Sequence, residues 1–247
     1  MMRSLLIAFG LLFCAQTVLA GPIEKLSFYT EEYPPYNMTQ NGELTGIAVD
    51  MLTAILERAD TETTVSDVKV TPWARGYATA QREPNTVLFS TTRTPQREDK
   101  FDWVGPIAAT KIGVIGKTNV PAIDGVGDLA DAKTVTIRDD VAEQLLVKKG
   151  LSKDAIHSVA SQESIVNLLT RGRVDYWAYE TNVARYILKQ HDVAADTFET
   201  KHVLQEANLY YAFHPDTDPD AIAAFRKAFE AVKGSDTYQA ILDRYLN

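Results

Sequence analysis

The sequence has a single cysteine, Cys14, in 247 residues. That excludes a disulfide-stapled scaffold and any cysteine-built zinc or iron–sulfur centre. Positive charge is scarce too: 25 Lys and Arg stand against 33 Asp and Glu, a net charge of -8 at pH 7. Phosphate backbones and anionic membrane surfaces are therefore repelled overall, and nucleic acid is not an expected partner. A nucleophile-elbow serine, an H-E-x-x-H pair and a G-x-G-x-x-G turn after a strand are all absent. Gly113-Val114-Ile115-Gly116-Lys117-Thr118 approaches a phosphate loop, but Lys111 stands where its first glycine belongs. His157, His191, His202 and His214 lack tight ligand spacing and read as surface residues, so neither a metal nor a cofactor is expected.

No apolar run is long enough to span a bilayer. Leu5 to Phe13 is too short for that, and between Arg3 and Val18-Leu19-Ala20 it reads as the core of a secretory signal. Residues 1–20 are expected to be a signal peptide cleaved after Ala20. Phe13 before Cys14 does not suit a lipoprotein signal. Cleavage removes the only thiol, which excludes a cysteine nucleophile from the exported, soluble chain.

What remains has an ordinary globular composition, 45% apolar and 23% charged, and its periodicities alternate. Lys25–Thr30 reads as a buried strand. Ala48, Met51, Leu52, Ile55 and Leu56 recur at helical spacing over 46–59. Val65–Val70 reads as a strand, Trp73–Gln81 as a helix and Thr86–Phe89 as a strand, a β-α-β-α-β order that implies a parallel sheet with crossover helices. The order then repeats. Strands are expected at 111–115, 134–137, 174–179 and 203–213, and helices at 141–148, 164–171, 182–190, 219–232 and 235–246. Two α/β units of about 100 residues each fit the length.

The stretch most informative for chemistry is Leu88 to Pro106. Ser90, Thr91 and Thr92 follow the strand as small hydroxyl residues, read here as loop with free amides, and Arg97 comes after a turn at Pro95. Hydroxyls, amides and a guanidinium at the carboxyl edge of a parallel sheet suit a carboxylate ligand. Pairing of Arg97 with a neighbouring surface acid, Glu98 or Asp99, accounts for the same residues equally well.

Four motifs in register tip that balance. Thr94-Pro95-Gln96-Arg97 through Phe101, Trp103 and Pro106 resembles the mark of the periplasmic solute-binding proteins of the polar amino-acid family, bacterial family 3. Tyr33-Pro34-Pro35-Tyr36 with the run Gly42 to Asp50, Gly172-Arg173-Val174-Asp175, and Lys233 to Ile241 resemble that family's other motifs. The resemblance implies a two-lobed α/β fold, each lobe a mostly parallel sheet flanked by helices, joined by two hinge strands. Lobe 1 is expected at 21–110 plus 207–247 and lobe 2 at 111–206. It also implies a monomer in the periplasm that closes on an amino acid or similar zwitterion and delivers it to an inner-membrane ABC-type importer.

Residue by residue, the resemblance assigns Arg97 to the ligand carboxylate and Ser90 and Thr92 to its charged ends. Tyr33 and Trp73 become pocket walls, with Trp73 alternatively plain core. Glu180, five residues after Asp175, falls at the acid that accepts the ammonium, or it only caps the helix that follows. The segment Arg138-Asp139-Asp140 departs from the family's small hydroxyl residues. Asp140 suits a helix N-cap, and Arg138 or Asp140 is alternatively a reader of the ligand's side chain. Two other roles share the architecture: a sensory module that signals to a receptor, and an enzyme resembling cyclohexadienyl dehydratase with Glu180 as its acid.

Overall fold

The structure is a computed structural model that describes residues 21–194 and 196–246. The expected signal segment lies outside the described residues. In chain order the elements are β1 (Ser27–Thr30), β2 (Met38–Gln40), β3 (Glu43–Thr45), α1 (Ile47–Arg58), β4 (Lys69–Val70), α2 (Trp73–Ala80), β5 (Thr86–Thr92) and β6 (Asp102–Lys117). There follow β7 (Thr134–Ile137), α3 (Val141–Lys148), β8 (Ile156–Val159), α4 (Gln162–Thr170), β9 (Tyr176–Glu180), α5 (Thr181–Gln190), β10 (Phe198–Phe213), α6 (Pro219–Lys233) and α7 (Asp236–Leu246). No helix among the described residues is long and apolar enough to cross a membrane.

Eight strands form one sheet in the order β4-β1-β5-β10-β6-β9-β7-β8, and β2-β3 is a separate hairpin turned at Asn41-Gly42. The outer pairs β4-β1, β1-β5, β9-β7 and β7-β8 are parallel, and the three central pairings through β10 and β6 are antiparallel. The sheet is thus two parallel wings carried on one long antiparallel ribbon. β6 and β10 pair from Asp102↔Phe213 to Lys117↔Phe198, and midway Thr110 faces Ala207. The boundaries expected at 110 and 207 therefore fall opposite one another on this ribbon.

Local sequence explains most elements. Ile47, Met51, Leu52 and Ile55 of α1 are fully buried against the first wing, each stabilising by roughly 1.5–3 kcal/mol. Asp140, Ser161 and Asp218 cap α3, α4 and α6 with side-chain oxygens that accept main-chain N–H groups. Gly172 ends α4 at φ +65°, the conformation a helix C-terminus favours in glycine, while its N–H donates to the Leu169 carbonyl.

Three expectations are corrected, and one strand is extended. Val65–Val70 is a short 3-10 turn followed by a two-residue strand, because Asp67 accepts the Thr64 N–H at 2.8 Å and curls the chain. β5 continues to Thr92 rather than ending at Phe89, since Thr91 and Thr92 pair with Tyr210 and Leu209 of β10. Residues 102–110, to which the sequence pattern assigns no element, are the first half of β6, and the near-phosphate-loop Gly113–Thr118 lies almost wholly within that strand. His214 is buried rather than exposed, its Nδ1 accepting the Asp216 N–H at 2.9 Å in the turn before α6.

Candidate functional site

The two wings face each other across the carboxyl ends of their parallel strands, where open α/β sheets place ligands. Arg97 is held there by a turn closed by its own N–H on the Thr94 carbonyl at 2.9 Å. Its side chain is not in the loop solvent that the sequence suggests: it is 1% exposed. The guanidinium lies 5.0 Å from both the Trp73 and the Tyr77 ring centroids, residues one turn apart on α2. Its Nη1 donates to the Thr92 carbonyl at 3.2 Å, and its Nε to Gln144 Oε1 of the opposite wing at 3.2 Å.

The opposite wing answers with the turn before α3. Asp139 adopts φ +60°, a left-handed conformation that a short polar side chain tolerates. Its carbonyl accepts from Trp73 Nε1 at 3.0 Å, Gln144 Nε2 at 2.9 Å and, more distantly, Arg97 Nη2 at 3.4 Å. Asp140 is buried, and its Oδ2 accepts the Ala142 N–H at 3.1 Å. Burial raises its pKa, and the Arg97 charge opposes that rise. Burial lowers the Arg97 pKa, and Asp140 is the largest influence restoring it. Yet no carboxylate among the described residues lies within 4.0 Å of the Arg97 guanidinium. A fully buried guanidinium holds only neutral acceptors.

Ser90 sits at a β-bulge, where Phe89 and Ser90 oppose the single Tyr211, and has φ +58°. The bulge aims its hydroxyl at Asn37 Oδ1, to which it donates. Asn37 in turn donates to the Glu31 carbonyl at 2.5 Å. Thr92 contributes its carbonyl to Arg97, as above. Tyr33 packs edge-on against Tyr179 of the second wing, ring centroids 5.6 Å apart, and stacks on Tyr36. Arg138 is exposed, and the structure does not bring it to this group.

Glu180 has a defined task of its own. It ends β9, caps α5, and both carboxylate oxygens accept main-chain N–H groups, from Val183 at 2.6 Å and Lys111 at 3.2 Å. Burial raises its pKa, and those amides hold the rise back. It lies toward Tyr33 and Tyr36, whose hydroxyl pKa values its charge helps to raise.

Sequence reasoning passed over Glu31, Tyr77 and Gln144. Glu31 directly follows β1, an edge position that the strand reading already marked. Tyr77 and Gln144 lie four residues after Trp73 and Asp140 on their helices, a spacing that shares a face.

The profile of the bacterial extracellular solute-binding proteins, family 3, matches residues 27–247. The chain belongs to that family. Solved structures agree on the fold of this solute-binding protein. A histidine kinase sensor domain with similarity to periplasmic binding proteins superposes with a TM-score of 0.79 at 19% identity, covering 91% of this chain and 98% of that one. An ancestral arginine-binding protein bound to arginine matches with a TM-score of 0.73 at 21% identity, covering 91% and 100%. A substrate-binding protein of an ABC uptake transporter from Streptococcus pneumoniae, with bound histidine, matches with a TM-score of 0.76 at 14% identity, covering 90% and 93%. At such identities the likeness speaks for the periplasmic-binding-protein fold alone. No curated protein sequence matches significantly.

Proposed function

We propose that this solute-binding protein captures an amino acid or similar small zwitterion between two lobes and presents the closed complex to an inner-membrane ABC-type importer. The first wing with the C-terminal helices, 21–110 plus 207–247, forms one lobe, and 111–206 forms the other. The site is exported to the periplasm on a chain cleaved after Ala20 and works as a monomer. One observation carries the reading: Arg97 is buried between the lobes with no carboxylate of the described residues in ion-pair reach, a state that a ligand carboxylate relieves. Asp140, across the cleft from Arg97, is the acceptor for the ammonium, and Tyr33 and Trp73 are walls.

A zwitterion carries both charges on one carbon, so Arg97 and Asp140 are satisfied together only when the lobes close. Charge-assisted hydrogen bonds net about 1.5–3 kcal/mol each. A near-complete open-to-closed switch needs about 5.5 kcal/mol of differential binding, so two or three such contacts suffice and catalysis is not required. Glu180 serves as structural cap: its two oxygens accept the Val183 and Lys111 N–H groups and tie the start of α5 to β6.

A thermal-shift screen against the amino acids tests the reading. A ligand at 100 times its dissociation constant stabilises by about 2.7 kcal/mol, which raises the melting temperature of a chain this size by roughly 5–10 °C. No shift with any amino acid contradicts capture. Formation of an aromatic product from prephenate or arogenate contradicts a purely binding role.

A second reading has one observation in its favour, the likeness to a histidine kinase sensor domain. On it the same closed complex signals to a receptor instead of feeding an importer. Uptake of the identified ligand by cells with and without the gene separates the two: loss of uptake supports transport, and unchanged uptake supports signalling.

A further inference from the structure

If the site takes an amino acid, as proposed above, its charges constrain the ligand further. Beside Trp73, at the carboxyl ends of β1 and β7, lies a cavity of about 340 Å³ lined in part by Glu31, Glu32, Thr71, Gln162 and Glu163. No lysine, arginine or histidine lines it. Two of its three acids are accounted for. Glu32 accepts the Thr39 N–H at 2.9 Å and the Thr39 hydroxyl at 2.5 Å. Glu163 lies in the first turn of α4, where an acid answers the positive end of the helix.

Glu31 is left over. It is 9% exposed, and its carboxylate makes no hydrogen bond to any described residue. Burial, with the charge of Asp140 next, pushes its pKa well up, and Arg97 only partly offsets them. The buried charged groups that interact here are one cation, Arg97, and three acids, Asp140, Glu31 and Glu180, of which Glu180 is already held by the Val183 and Lys111 N–H groups. An amino acid's carboxylate engages Arg97 and its ammonium engages Asp140. Glu31 then stays buried without a cation, a state that carboxylates avoid by pairing or by taking up a proton.

We propose that the ligand is an amino acid with a cationic side chain, and that its second positive group enters this cavity and pairs with Glu31. The test is calorimetric titration with L-arginine and with L-citrulline, which replaces the guanidinium by a neutral urea group of the same shape. L-lysine against L-norleucine repeats the comparison for an ammonium. The cationic member of at least one pair is expected to bind about 10- to 100-fold tighter, and Glu31→Gln is expected to bring that ratio close to one.

Equal affinities within both pairs in the unsubstituted protein overturn the charge assignment and leave amino-acid capture standing. A cationic preference that survives Glu31→Gln at full size overturns Glu31 as the partner. If none of the four ligands binds but a neutral amino acid such as L-glutamine does, the cationic class is overturned alone. If no amino acid binds, the functional reading falls and this proposal falls with it.

Discussion

Glu31 and Arg97 are both more than nine-tenths buried, and neither has an ion partner within 4.0 Å among the described residues. For Glu31 the consequence is a pH dependence with a definite sign. Burial, with the Asp140 charge next, holds its folded-state pKa well above the ordinary carboxylate value. The stability this brings is fully present below the unfolded carboxyl pKa, about 4.3, and is lost as pH rises through the raised folded value. Asp140 and Glu180 are raised as well and act in the same direction. The informative quantity is therefore a difference between variants. Glu31→Gln, whose amide stays neutral, is expected to flatten the fall in melting temperature as pH rises above about 4.3. Each 1 kcal/mol moves the midpoint of a chain this size by about 2–4 °C, which scanning calorimetry resolves. Superimposable pH profiles for the two proteins contradict the burial argument. For Arg97, substitution by Met keeps most of the packing against Trp73 and Tyr77 but leaves a ligand carboxylate unpaired. A loss of about 3–5 kcal/mol in binding is expected, and unchanged affinity by calorimetry reduces the residue to a structural one.

Two of the candidate acids, Asp140 and Glu180, are also helix caps, and at the scale of elements their roles separate. Asp140→Asn keeps an N-cap of equal quality for α3 and removes the charge that faces Arg97. The ligand-free melting temperature is expected to stay within a few degrees while amino-acid binding weakens by at least tenfold, the size of one charge-assisted bond. Glu180→Gln is expected to do the reverse, because its amide presents a donor to the Lys111 or Val183 N–H. A double-mutant cycle with an amino acid and its deaminated analogue isolates the ammonium contact. Coupling at Glu180 and none at Asp140 contradicts this assignment and returns Glu180 to the role that the family resemblance implies. Elements with a strong local signal were legible in the sequence: α1 from its apolar spacing, α3 from its Asp140 cap, β7 at its observed ends. The first half of β6 was not, because Gly105-Pro106 interrupts it and its stability comes from pairing with β10 about a hundred residues away. β8, four residues long and half polar, carries too little pattern to be read. Arg97, Trp73 and Asp140 were marked from motif and cap. The burial of Arg97 against two stacked aromatic rings and the proximity of Glu31 are products of tertiary packing and have no local signature.

Across the whole molecule, β6 and β10 are the ribbon that carries both wings, and polar contacts bridge the cleft beside the Tyr33–Tyr179 ring contact. Trp73 to the Asp139 carbonyl at 3.0 Å, Gln162 to the Glu32 carbonyl at 2.6 Å and Gln40 to the Tyr186 hydroxyl at 3.2 Å are among them. Contacts of this kind net about 0.5–1.5 kcal/mol each. Against them, closure without ligand buries an unpaired guanidinium and sets Glu31 near Asp140, whose charge adds to the cost of ionising it. The ligand-free protein is therefore expected to open in solution and the ligand to close it. The most direct test is small-angle X-ray scattering of the protein with and without the amino acid identified by thermal shift, alongside Arg97→Met at the same ligand concentration. A radius of gyration that falls on ligand addition in the unsubstituted protein, and stays at its ligand-free value in Arg97→Met, is the predicted result. An unchanged radius at saturating ligand, or equal contraction in both proteins, contradicts closure driven by the buried charges.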